Sequence, residues 1–400
     1  LVAYHRRVQA ATDDRSTVAR SPVAGYLVTF IVLGMLLSIN GPALGWLRER
    51  TGVGIGTSGL VLSGGSIGYI IASYAAGRPF DRGGGHRLLL GAFVLGVMAV
   101  LAVAWSTTFA VVVLLFALIG AAGGVIDVGG NTLVVWSQRP ERIGATLNAL
   151  HLCFGIGALA TPLLVAWSIS STDSLVWVAV ALALGAAAVV ALLRGTEVPR
   201  RRASTADTTG VATTAFPLAL VCLFYFLYVG SEVTFLGWAP TYAEVESLGG
   251  VNGPGLFASM FLAGFALGRL LGIVLASRLT LVTLVLGSCV LSVVAAAALV
   301  VWGGGLGVWV ACGVLGLSLG PQYPTMMAYV DERLRLSGKA TSRLVAASGV
   351  GGLLLPLLTG WLLDRSGGSA LPWATLVCLV VTTAVAGAVV VVVGRLAPDH

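Results

Sequence analysis

Twelve runs of about twenty apolar residues follow one another along the chain, separated by short polar turns. A run of that length matches the hydrocarbon thickness of a bilayer, and backbone crossing lipid must satisfy its own hydrogen bonds, which a helix does. The runs predict helices α1 to α12 near 24–46, 56–77, 88–105, 109–136, 144–169, 173–194, 216–241, 253–277, 280–302, 305–329, 341–363 and 370–395. Composition agrees. Charged residues are 10% of the chain and hydrophobic ones 57%, whereas a water-facing surface needs about a quarter charged. The expected fold is an all-α membrane protein.

The polar stretches divide the chain into an N-terminal tail (1–23), a six-helix half (24–194), a central loop (195–215), a second six-helix half (216–395) and a short C-terminus (396–400). The central loop carries Arg200, Arg201 and Arg202 and the run STADTTG. With the N-terminus inside, only Arg48, Arg50 and Arg365 of the 23 basic residues fall outside. The positive-inside rule then places both termini in the cytoplasm of a multi-pass cell-membrane protein. The net charge of +7 is spread between spans and forms no stripe, so it does not point to nucleic acid. Cys153, Cys222, Cys289, Cys312 and Cys378 all lie in apolar runs and read as small buried hydrophobes, not as disulfides or a metal site. The first residues, which begin at Leu1, show no cleavable signal pattern.

The two halves repeat. In α5 the run GIGALATPLLVAW aligns with GVGGLLLPLLTGW in α11. Gly155, Gly157, Pro162, Leu163, Leu164 and Trp167 then match Gly349, Gly351, Pro356, Leu357, Leu358 and Trp361 at one offset of 194. Gly45-Trp46 echoes Gly237-Trp238, and Gly77-Arg78 echoes Gly268-Arg269. A duplicated unit of this kind places a substrate between the halves near the bilayer midplane.

Between α2 and α3 lies Gly77-Arg78-Pro79-Phe80-Asp81-Arg82-Gly83-Gly84-Gly85-His86-Arg87. Its spacing, G-x-x-x-D-R-x-G, resembles the signature loop of the major facilitator superfamily, in the position where that family carries it. The resemblance implies two pseudo-symmetric six-helix bundles and a gating loop formed here by Gly77, Arg78, Asp81, Arg82, Gly84 and Arg87. It also implies that Asp81 and Arg82 latch the cytoplasmic side against α11. Gly85 stands where the family has a basic residue, and the second copy, GRLLGIVLASR after α8, lacks the Asp. The segments GPALGWL, DVGGNTLVVW, NALHLCFGIGA, YVGSEVTFLGWAPTYA and GPQYPTMMAY resemble the fucose permease-like and sodium-dependent glucose transporter-like branch. For this chain that implies uptake of a monosaccharide coupled to H⁺ or Na⁺, by a monomer, with no other cofactor.

Charged side chains at the centre of a membrane helix cost about 2.5–3.5 kcal/mol on insertion scales, so each is a functional candidate. Asp127 in α4, His151 in α5 and Glu232 in α7 are read as ion-coupling candidates. In antiparallel neighbours, residues at one depth have a constant sum of numbers. Asp127 with His151 and Asn131 with Asn148 satisfy this, which predicts two polar rungs between α4 and α5. Hydrogen bonds that only glue helices, at roughly 0.6 kcal/mol each, are the plainer alternative.

In α7, Tyr225, Tyr228, Glu232, Phe235, Trp238 and Tyr242 recur at spacings of three and four, giving an aromatic face with one acid. Such a face suits a sugar, whose C–H faces stack on rings and whose hydroxyls need acceptors. Rise per residue puts Glu232 about 24 Å along α7, in the outer part of the membrane, as an outer gate or sugar-binding acid. Gly320-Pro321-Gln322-Tyr323-Pro324 should break α10 beside a cavity, which makes Gln322 and Tyr323 hydroxyl-binding candidates. Asn40, beside Gly41-Pro42, is a similar one. The substrate-binding set is thus Asn40, Asn131, Asn148, Tyr228, Glu232, Trp238, Gln322 and Tyr323.

Nothing in the sequence has the spacing of a catalytic dyad, a metal cluster or a phosphate loop. The rival within transport is a drug/H⁺ antiporter or a metabolite exporter. Antiporters of that kind carry a membrane Arg in α4 and G-P-x-x-G-G in α5, where this chain has Asp127 and Ala-Thr-Pro-Leu-Leu.

Overall fold

A computed structural model describes residues 21–200, 215–249, 253–302 and 304–396. Most of the N-terminal tail and of the central loop, and the last four residues, lie outside the described residues. Among the described residues, twelve helices are long and apolar enough to cross a membrane. They are α1 (Val23–Leu37 continuing as Asn40–Thr51), α2 (Ile55–Asp81), α3 (Gly85–Trp105), α4 (Phe109–Ser137), α5 (Pro140–Thr172) and α6 (Val176–Leu193). The second half has α7 (Ala215–Val245), α8 (Gly253–Leu275), α9 (Leu281–Trp302), α10 (Gly305–Leu319 continuing as Gln322–Leu334), α11 (Gly338–Ser366) and α12 (Ala370–Gly394). The described residues form an all-α bundle in two pseudo-symmetric halves.

The face where α1 begins and α12 ends is called here the terminal face, and the opposite one the far face. In each half the first helix packs on the fifth, the second on the fourth and the third on the sixth: α1 on α5, α2 on α4 and α3 on α6, then α7 on α11, α8 on α10 and α9 on α12. The halves meet through α2 against α11 and α5 against α8. Small residues allow this. A Cβ at Gly157 would strike the Ile31 carbonyl of α1, and one at Gly351 the Phe226 carbonyl of α7. Gly157 and Gly351 thus do the same work in the two halves, letting backbones touch where lipid offers no hydrophobic drive. Large apolar side chains such as Leu163 and Leu306, 76% and 81% exposed, cover the outer surface. Lipid is the solvent there.

Both glycine–proline segments interrupt their helices. α1 breaks after Leu37 and restarts at Asn40, two residues before Pro42. α10 breaks between Leu319 and Gln322, where Pro321 and Pro324 cannot donate to the ladder. Carbonyls around the second break are bonded from α7. Tyr228 donates to the Leu319 carbonyl at 2.8 Å and Tyr225 to that of Tyr323 at 3.0 Å.

Candidate functional site

At the terminal face, α2 ends in Asp81 and α11 begins at Gly338 in the other half. The first amides of a helix have no partner within it and carry partial positive charge. Asp81 accepts from the Gly338 amide at 2.7 Å and the Lys339 amide at 2.9 Å. The Ser337 hydroxyl accepts from Ala340 at 3.1 Å and its carbonyl from Thr341 at 2.9 Å. The first three amides of α11 are therefore answered, two of them from the opposite half. The approach is tight, since a Cβ at Gly77 would lie 2.6 Å from the Gly338 carbonyl. Nearby, Trp136 at the end of α4 donates to the Leu336 carbonyl at 3.0 Å. Arg78, Arg82 and Arg87 are exposed. The expected partnership therefore falls to Asp81, and Arg82 lies on the surface of that face. Gly84, half-buried, donates its amide back to the Pro79 carbonyl and closes the turn.

The second closure is α8 against α5. Gly144 of α5 faces Ala276, Leu281 and Ala328, and Gly272 of α8 seats the amide of Asn148.

On the far-face side of these contacts, between the halves, lies a cavity of about 410 Å³. Asp127, His151, Glu232 and Arg269 all line it, with Asn40, Tyr69 and Tyr323. Asp127 accepts a short hydrogen bond from the Tyr69 hydroxyl and another, at 2.7 Å, from the Asn131 amide. The Asn131 oxygen faces His151 Nε2 at 3.3 Å. The His151 ring packs between Phe30 and Tyr323, with centroids at 5.3 and 4.7 Å. Arg269 lies 4.3 Å over the Phe265 ring and donates to the His151 backbone carbonyl of the other half. Three buried polar atoms of the wall have no partner: Asn40 Oδ1, Arg269 Nε and the Tyr323 hydroxyl oxygen. A larger cavity of about 570 Å³ lies between α7, α11 and α12, but no acid, histidine, lysine or arginine lines it.

Several expectations change. Glu232 stands near the middle of the 31-residue α7 and shares the cavity with Asp127. The 31 residues of α7 span about 46 Å, more than the roughly 30 Å of a hydrocarbon core, so a point about 24 Å along it falls near the helix's own middle. The two polar rungs are replaced by one diagonal contact, Asn131 with His151. Asn148 bonds to Gly144 and turns to α8. The reason is that α4 packs along α2 and α3 and meets α5 only briefly, so equal depth does not bring side chains together. Gln322 points away from the cavity, donating to the carbonyls of Ser288 and Ser318, both at 3.2 Å. Trp238 donates to the Pro356 carbonyl at 2.9 Å, and Tyr228 braces α10. Neither lines the cavity.

Arg269 is the residue sequence reasoning missed. In the sequence it stands as one end of a decayed loop copy, although a lone arginine in the apolar run FLAGFALGRLLGIVL carries the same signal as Asp127. Tyr69 gave no such signal, because tyrosine is common in membrane helices.

A sequence model of the Major Facilitator Superfamily matches residues 26–342. Among curated proteins, the chain is 26% identical over 379 residues to the Mus musculus sodium-dependent glucose transporter 1A, covering 83% of this chain and 87% of that one. It is 24% identical over 383 residues to Homo sapiens sodium-dependent glucose transporter 1, covering 83% and 71%. Among solved structures, a variant of the E. coli fucose:proton symporter FucP superposes with a TM-score of 0.75 at 17% identity, covering 92% of this chain and 98% of that one. The proton:xylose symporter XylE gives 0.71 at 13%, covering 92% and 95%.

Proposed function

From its membership of the Major Facilitator Superfamily, to which this chain belongs, we propose an ion-coupled symporter that takes up a monosaccharide by alternating access. The observation that carries the substrate reading is the set of unpartnered polar atoms in the cavity wall. Asn40 Oδ1 can only accept, Arg269 Nε can only donate and the Tyr323 hydroxyl can do either. Left unmatched, each loses hydrogen-bond energy in a low-dielectric site, so a ligand that satisfies them must offer donors and acceptors together. A polyhydroxylated ring does this, and Phe30, Tyr69 and Tyr323 supply aromatic faces for its C–H side. The cavity volume is within the range of small-molecule sites. Relatives named as sodium-dependent glucose transporters and neighbours named as sugar:proton symporters support the class.

Asp127 is the proposed coupling group. Its carboxylate is held by two donors, Tyr69 and Asn131, and Asn131 in turn faces His151. A proton or a sodium ion arriving at Asp127 would neutralise the charge and release Tyr69 of α2, one of the two helices forming the α2–α11 contact. Glu232 is the second acid and belongs to the sugar-facing wall. We place the terminal face in the cytoplasm of a cell membrane, on the arginine distribution. The described conformation then faces outward. One copy holds the whole cavity, so a monomer suffices.

Reconstituted vesicles supply the test. Monosaccharide uptake is measured under an imposed H⁺ gradient, a Na⁺ gradient or neither. The expected result is accumulation under one of the two gradients, with Asp127→Asn retaining exchange but losing accumulation. Absence of uptake of any monosaccharide, with dye export instead, would overturn the sugar reading. Undiminished accumulation by Asp127→Asn would remove that residue from coupling.

A further inference from the structure

Between the surface closures and the cavity, a hydrogen bond from α8 to α5 crosses the two halves. Arg269 of α8 reaches into the first half and donates to the backbone carbonyl of His151. The residue is 5% exposed, its guanidinium stacks on Phe265, and Nε is unpartnered. It borders the same cavity as Asp127 and Glu232 and is close enough to interact with both electrostatically. A buried guanidinium would ordinarily be paired with a carboxylate. Here the bond it makes across the halves is to a neutral carbonyl, while the two acids act on it electrostatically.

That choice has a mechanical meaning. A bond to backbone ties helix to helix, with no side chain that could swing away with Arg269. A carbonyl is also a weaker partner than a carboxylate, and other oxygens entering the cavity compete with it on similar terms. Arginine, with five donors in a fixed fork, can hold one oxygen while it accepts another.

We propose that Arg269 is the residue through which an occupied cavity releases the closed terminal face. In the empty state its guanidinium holds His151 and keeps α5 against α8. In the filled state a substrate oxygen takes the guanidinium, the cross-half bond is lost and the terminal face opens. The release step rests on the reading of the substrate as an oxygen-rich solute; the lock itself does not.

Spin labels at Arg142→Cys on α5 and Arg278→Cys after α8, both exposed positions, would report the closure. Native cysteines are replaced by serine, and distances are measured in lipid nanodiscs without sugar. The full-length chain should show one short distance. Arg269→Gln should add a longer one, raising the open population about tenfold. Arg269→Lys, which keeps the charge but not the fork, should fall between, and Phe265→Leu should shift the distances the same way by less. Adding the monosaccharide found by uptake should open the parent and leave Arg269→Gln unmoved.

Distances in Arg269→Gln that match the parent would overturn the proposal. Should that variant fail to fold, unchanged distances in both Arg269→Lys and Phe265→Leu would do the same. If the variants shift but no monosaccharide is transported, the lock stands and the sugar reading falls. If a monosaccharide is transported and no variant shifts, the reverse holds.

Discussion

Where α2 meets α11, a carboxylate closes the terminal face; where α8 meets α5, a glycine does. The two contacts occupy equivalent places in a duplicated frame. Asp81 completes the first turn of α11 by accepting two backbone amides. Its counterpart loop after α8 has no acid, and there closure rests on Gly272 and Gly144 fitting against α5. Duplication supplied two hinges, and divergence left one held by charge and the other by shape. At that face a charged contact responds to its ionic surroundings, whereas a shape contact does not, and Arg269 ties the second pair of helices only deeper in the membrane.

The largest expected effect comes from filling the charged contact. Gly77→Leu would set side-chain atoms against the backbone of Gly338 and Lys339, which cannot move aside. Overpacking of this kind costs about 1–3 kcal/mol, so the initial uptake rate should fall about a hundredfold at the upper end. Asp81→Ala comes next. It removes a cap worth about 1–2 kcal/mol, and the population open at the terminal face should rise about tenfold, read as label distances between Arg87→Cys and Glu332→Cys.

Gly272→Ala is weaker, because its Cβ meets the end of the Asn148 amide, a group that can turn. A reduction in uptake of about threefold is expected, with recovery in the double variant carrying Asn148→Ala. Lack of recovery would mean that the α5–α8 contact is not steric. The smallest effect is that of salt. Raising ionic strength to about 1 M shortens the Debye length to about 3 Å, which should loosen the Asp81 contact less than threefold. The distance between labels at Arg142→Cys and Arg278→Cys should stay fixed. Equal salt sensitivity of the two would erase the distinction.

Much of this frame was legible before any coordinates. Run length gives the helices and the 194-residue offset gives the two-half frame, because lipid leaves few alternatives to a helix and a duplicated chain packs twice in the same way. The site was legible in part. Asp127, His151 and Glu232 announced themselves as charges or a titratable ring in apolar surroundings, and the structure gathers all three around one cavity. Their depths and partners were not readable, because depth depends on how far α7 overhangs the membrane, and partners depend on which helices are neighbours in space. Asn148 and Gln322 show the limit from the other side. Both are polar and fully buried, yet one seats on a glycine and the other binds backbone carbonyls. A polar side chain in lipid signals that something must satisfy it, not what.

The bonds from Asp81 to Gly338 and Lys339 have one more consequence. Those two amides have protein partners only while the halves are together at the terminal face, and they meet water whenever the halves part. Their hydrogen–deuterium exchange is therefore tied to the transport cycle. Any ligand or gradient that holds that face shut should slow deuterium uptake at the start of α11, and anything that opens it should speed it. The unlabelled chain carries its own clock for alternation, in two backbone protons.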